Sequence, residues 1–119
     1  FERVLAIREK TLGPEHPYLI PVLRALAGAL LGEARPAEAL RYLERASSLR
    51  AASPDEPANV GSNYFLLARA LWDAPAKAGR DRERARILAE RARIAYADAG
   101  ETSAEALHQL QTWQAKSGA

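Results

Sequence analysis

The 119-residue sequence predicts an all-α fold, a row of antiparallel helical hairpins stacked on one another. Three observations predict it. First, the chain repeats. Phe1-Glu-Arg-Val-Leu-Ala-Ile-Arg8 returns as Leu43-Glu-Arg-Ala-Ser-Ser-Leu-Arg50, and more loosely as Ala89-Glu-Arg-Ala-Arg-Ile-Ala95. A period of about 42 residues marks stacked helical units, none of which can bury its apolar face alone. Second, apolar residues recur at helical spacing in every long segment, as in Tyr64, Leu67, Ala68 and Leu71, which is the signature of a buried helix stripe. Third, the segments are divided by Pro- and Gly-rich links. Gly13-Pro-Glu-His-Pro17 and Ser53-Pro-Asp-Glu-Pro57 share a Pro-x-x-Pro spacing.

The elements follow in order. The first helix covers 1–12 and reads as the second half of an incomplete hairpin. Gly13 ends it and Pro17 opens the next, the usual places of these residues at helix ends. The second helix runs over 18–31, with Pro21 in its first turn, where the missing N–H has no intrahelical partner to lose. Leu19, Ile20, Val22, Leu23, Leu26, Leu30 and Leu31 nearly encircle it, so it is expected to be buried on most sides. After Gly32-Glu-Ala-Arg-Pro36, a third helix runs to Ala51 with Ala39, Leu40, Leu43 and Ala46 on one stripe, completing a full repeat over 18–51. The second full repeat covers 58–99. Its fourth helix ends near Asp73, a longer turn carries Pro75 and Gly79, and its fifth helix turns Ala85, Leu88, Ala89, Ala92 and Tyr96 inward. Gly100 closes that helix. Thr102-Ser-Ala-Glu105 has the capping-box pattern, opening a last helix over 103–116 with Leu107, Leu110 and Trp113, which is expected to cap the stack. Short turns make each pair antiparallel.

Composition excludes several classes. With 48% apolar and 27% charged residues the chain is an ordinary globular one, not a disordered one. It has no Cys, hence no disulfide framework and no thiolate metal site; a cytoplasmic location is expected. No apolar run approaches the roughly 20 residues of a membrane span, and no signal peptide is visible. The chain lacks an initiating Met and starts inside a repeat, which reads as a piece of something longer. A net charge of +2 is too small to imply a nucleic-acid partner. Arg dominates the basic residues and Ala is abundant, which reads as GC-rich bacterial coding.

Candidate chemical sites are few. His16 and His108 lack a metal partner at helical spacing. His16 is expected to cap or pack the adjoining turn, and Glu105, three residues before His108, is read as a surface neighbour. No Ser/His/Asp set and no phosphate-cradling Gly loop occurs. The run Arg80-Asp-Arg-Glu-Arg-Ala-Arg86, with Arg91 and Arg93, is interleaved with Asp81, Glu83 and Glu90. It reads as a solvated helix face neutralised by i,i+3 and i,i+4 pairs, without the aromatic platform that single-stranded nucleic acid needs. No catalytic residue, no cofactor and no metal are expected, and neither nucleic acid nor membrane is an expected partner.

The string from Phe1 to Pro17 resembles the second helix and inter-repeat loop of tetratricopeptide repeats, in particular the long-period kind of kinesin light chains and many bacterial proteins. The family's packing pattern falls on Leu23, Leu26, Ala27 and Leu30, then Ala39, Leu43 and Ala46. In the next repeat it falls on Tyr64, Leu67, Ala68 and Leu71, then Ala85, Ala89 and Ala92. Ala34 stands where a turn Gly is usual, and the insertion near Pro75 lengthens one turn. The resemblance implies a right-handed solenoid whose first helices line a concave groove for a peptide or partner domain. It also implies a noncatalytic interaction module, such as the tail of a bacterial Ser/Thr protein kinase or another signalling protein. The groove positions would be Arg24, Gly28, Leu31, Phe65, Arg69 and Trp72. Phe65 and Trp72 carry a second reading, packing against the neighbouring hairpin or the last helix. The family's carboxylate clamp is not supported, because Gly28 and Arg69 stand where Asn is wanted. A different class of function also stands: self-association through the N-terminal edge, where Phe1, Val4, Leu5 and Ile7 would lie partly uncovered.

Overall fold

Helix α1, Glu2–Leu12, stops at Gly13, whose φ of +93° and N–H bond to the Glu9 carbonyl at 2.9 Å turn the chain out of the helix. A short 3₁₀ turn, Pro17–Leu19, leads into α2, Ile20–Gly32, followed by α3, Pro36–Arg50, and α4, Pro57–Asp73. A second 3₁₀ turn, Ala76–Ala78, precedes α5, Arg82–Ala99, and a third, Gly100–Ser103, runs directly into α6, Ala104–Ser117. The computed structural model describes residues 2–50 and 57–119. Among them there is no strand, so the all-α expectation holds. Phe1, the expected end of the third helix at Ala51 and most of the Ser53–Pro57 link lie outside the described residues.

Packing follows the small-residue stripes. Ala27, Ala39, Ala68, Ala85, Ala89 and Ala92 are all 0% exposed; only a methyl group at these positions lets two helix backbones cross closely. Leu23, Leu43 and Leu71 fill the space beside them and are almost wholly buried. Helix α2 buries Ile20, Val22, Leu23, Leu26, Ala27, Leu30 and Leu31 but leaves Pro21 and Ala29 exposed and Arg24, Ala25 and Gly28 half-buried, so one side stays open and the expected burial on most sides is not reached. It packs on α3, α4 packs on α5, and the pairs join through α3 with α4. Helix α6 closes on α5 through Leu110, which is 0% exposed.

Two cross-chain ties hold α1, α3 and α5 together. Arg45 reaches back to Glu9 and to the Pro14 carbonyl, each at 3.0 Å, and Arg84 donates to Glu44 at 2.7 Å. Helices α2 and α4 touch one another, and α6 meets α4 through aromatic rings. The molecule is therefore a slab of 41 × 36 × 22 Å, its thin dimension about two helix diameters.

Two links differ from expectation or explain it. Ala34, in place of the usual Gly, does sit in the left-handed region at φ +59°. Its N–H donates to the Leu31 carbonyl and the Arg35 N–H to the Leu30 carbonyl, which makes a full Schellman closure of α2. The expected capping box at Thr102–Glu105 does not form. The Thr102 hydroxyl donates to the Ala99 carbonyl at 3.0 Å, and the Ala104 N–H is taken by the Glu101 carbonyl. The 3₁₀ turn already occupies an amide that a side-chain cap would serve. On α1, Leu5 is buried, while Val4 and Ile7 are 43% and 58% exposed.

The candidate interaction face

Helices α2, α4 and α6 present the face on which the groove residues fall. Arg24, half-buried on α2, crosses to α4, donating to Asn63 Oδ1 and Asn59 Oδ1, each at 3.4 Å. These long bonds hold the guanidinium loosely, and among the described residues no carboxylate pairs with it. Asn63 is 3% exposed and its Nδ2 finds no partner. Gly28 lies one turn beyond Arg24 over open space: a Cβ there would meet nothing within 4 Å. Leu31 is buried in the core, so it shapes the face from beneath and offers no free surface.

Phe65 and Trp72 both make the helix-packing contacts of their second reading. Both are 8% exposed and both pack edge-on against Trp113 of α6, with centroids 5.7 and 6.1 Å apart. Most of their apolar area docks the last helix, and Phe65 also lines the cleft beside it. The Arg69 guanidinium lies 5.7 Å from the Phe65 ring centre, a cation–π distance. The opposite flank of this aromatic group is covered by α5: Arg82 and Arg86 stand 4.7 and 5.1 Å from the Trp72 ring, and Arg82 Nε donates to the Trp72 carbonyl at 3.3 Å. Between α4 and α6 a cleft of about 440 Å³ opens, lined by Phe65 and Arg69 of α4 and by His108, Gln109, Thr112, Trp113 and Lys116 of α6.

The arginine run thus behaves differently from a self-neutralising helix face. One pair is intrahelical, Arg93 with Glu90, and holds the Glu90 carboxyl below its usual range. Arg84 pairs across to α3; its hydrogen bond to Glu44 raises the guanidinium pKa further. Arg82 and Arg86 serve Trp72. His16 packs the adjoining turn, with Nδ1 accepting from the Tyr18 N–H at 3.1 Å. Deeper in, burial raises the Tyr96 phenol pKa, opposed by a hydrogen bond to Ser62 and by the Arg24 charge. Among the described residues no three His, Asp or Glu side chains are grouped to hold a metal ion, and no helix is long and apolar enough to cross a membrane.

Sequence reasoning missed Asn59, Asn63 and Lys116 as members of this face. Asn63 sits off the stripe of groove positions, and its partner Arg24 is on another hairpin. Nothing in local spacing pairs them. No curated protein and no solved structure matches the chain. Residues 1–52 match the family model described as tetratricopeptide repeat, and over that segment the chain is similar to this family.

Proposed function

We propose that the chain is a noncatalytic protein-interaction module: a right-handed tetratricopeptide solenoid, capped by α6, that holds a peptide or partner domain along the α2–α4–α6 face. Tetratricopeptide repeats are generally interaction modules, and the match over residues 1–52 supports that coarse reading. The observation that carries the finer one is the pair Arg24 and Arg69. Both are half-exposed cations on this face without a carboxylate partner among the described residues. A partner's acidic groups would supply what the chain does not. Gly28 leaves room between the helices for an approaching backbone. Leu31, Phe65 and Trp72 act as the support under these contacts. The parent is proposed to be a larger cytoplasmic bacterial signalling protein such as a Ser/Thr kinase; the repeat resemblance alone supports this.

Photo-crosslinkers placed at Gly28, Arg69 and Arg91 test the face. Once a partner is identified by mass spectrometry, crosslinks are expected from the first two positions and not from Arg91 on the opposite layer. Arg24→Glu with Arg69→Glu should abolish binding of the purified partner. Crosslinks confined to Arg91 would sink the proposal.

A second reading, stacking of copies through α1, is favoured by the exposure of Val4 and Ile7. It expects a mass that rises with concentration in sedimentation and that Ile7→Glu returns to the monomer value.

A further inference from the structure

The cleft between α4 and α6 has a chemistry of its own. One wall is aromatic: Trp113 is half-buried and shows part of its ring, while Phe65 closes the floor edge-on at 5.7 Å. Its rim is cationic. Arg69 already lies over the Phe65 ring and Lys116 is exposed on α6. Among the described residues neither pairs with a carboxylate, and no acidic side chain lines the cleft. Gln109 and Thr112 add exposed polar groups on the α6 side. All of the lining comes from α4 and α6 and none from α2, which makes this a local site and not a channel along the whole face. Its volume of about 440 Å³ falls within the roughly 300–1,000 Å³ of small-molecule pockets.

We propose that this cleft binds a small aromatic anion, a planar ring bearing a carboxylate or a phosphate. The ring lies against Trp113 and the edge of Phe65, where offset and edge-on contacts are favourable. The anionic oxygens lie between Arg69 and Lys116, which give charge-assisted hydrogen bonds. The Gln109 side-chain amide supplies a neutral donor that fixes orientation, while the Thr112 hydroxyl proton is already given to the His108 carbonyl. Neither half suffices alone. One half-exposed and one exposed cation without the ring wall make a weak, salt-screened contact, and the aromatic wall without the cations would not select an anion. The site is separate from the Arg24 end of the interaction face and does not depend on a protein partner.

Calorimetry and tryptophan emission of the full chain test it, with Trp72→Phe as background so that emission reports Trp113. The probes are adenosine monophosphate and naphthoate, with inorganic phosphate, acetate and the uncharged naphthamide as controls. Saturable binding of at least one ring-bearing anion, with a change in Trp113 emission, is the expected result. Arg69→Ala or Lys116→Ala should weaken it about tenfold with an unchanged circular dichroism spectrum, since both side chains are at the surface. Binding of the nucleotide alone identifies the anion as phosphate, and of naphthoate alone as carboxylate; both support the site. Equal binding of inorganic phosphate, equal binding of naphthamide, or affinities unmoved by both variants overturns it. So does the absence of saturable binding. An acidic peptide that binds the chain while both ring-bearing anions stay inert also overturns it, and leaves the protein-interaction reading standing.

Discussion

Gly61 on α4 backs directly onto the ring of Tyr96 on α5: a Cβ at Gly61 would lie 2.7 Å from both Cδ1 and Cε1. The ring is 3% exposed and its hydroxyl donates to Ser62 at 3.2 Å, so it has no room to swing away. Gly61→Ala gains about 1 kcal/mol of helix propensity but meets an overpacking cost of about 1–3 kcal/mol, and a net loss is expected. Gly28→Ala is the contrast, since its Cβ enters open space and propensity alone should stabilise by about 1 kcal/mol. Urea midpoints of the two variants should move in opposite directions. Movement in the same direction would show that α4 and α5 are not packed as described.

Tyr96 also makes stability depend on alkaline pH. Burial raises its phenol pKa above the ordinary tyrosine value, so the folded state holds the proton more tightly than the unfolded chain does. The stabilising contribution is therefore complete below about pH 10, the unfolded value, and is lost as pH rises through the higher folded value. The urea midpoint should fall above about pH 10 more steeply for the parent than for Tyr96→Phe, which has no proton to lose. Parallel curves would remove Tyr96 as the cause.

Ala34 closes α2 in a conformation that costs an L-residue about 1–2 kcal/mol. Ala34→Gly should relieve that strain, partly offset by the greater freedom glycine has in the unfolded chain. A gain of about 0.5–1 kcal/mol is expected from thermal or urea unfolding, while Ala34→Val should destabilise. The resemblance to tetratricopeptide repeats points to this site without the structure, because a turn Gly is usual there and this chain has Ala34.

Much of the fold was legible for the same reason. Repetition and helical spacing single out the Ala and Leu stripes, and every inward residue assigned to α5, from Ala85 to Tyr96, is buried. The candidate face was less legible. Periodicity tells which side of a helix is apolar but not which ring on a distant helix will meet it, so Trp113 could be placed on a stripe without being placed on Phe65 and Trp72. Arg82 shows the limit from the polar side. Its spacing from Asp81 and Glu83 reads as solvated helix, yet its guanidinium lies 4.7 Å from the Trp72 ring. Arg82→Ala should consequently cost about 0.5–1 kcal/mol in urea unfolding, more than a free surface arginine would. The capping box at Thr102 failed because a local motif could not reveal that the preceding turn had already taken an amide.

Helix α6 is held to the rest of the chain by apolar contacts. Among the described residues its side-chain hydrogen bonds stay within the helix and its end: Thr112 to the His108 carbonyl, Ser117 to the Trp113 carbonyl, and the Ala119 N–H to Ser117. Docking therefore rests on Leu110, at 0% exposure, and on the edge contacts of Trp113. Leu110→Ala should cost about 2–5 kcal/mol of docking energy through the cavity it leaves. Because α6 sits at one end of the stack, that loss should be local, in keeping with units that contact only their neighbours. Native-state hydrogen exchange is expected to show the α6 amides of Leu110→Ala exchanging far faster than in the parent, with α2 and α3 barely changed. The Trp113 emission should shift to the red as its ring leaves Phe65 and Trp72. If protection falls equally in all six α-helices of the described residues, the chain unfolds as one unit and α6 is an integral part of the core, not a docked end.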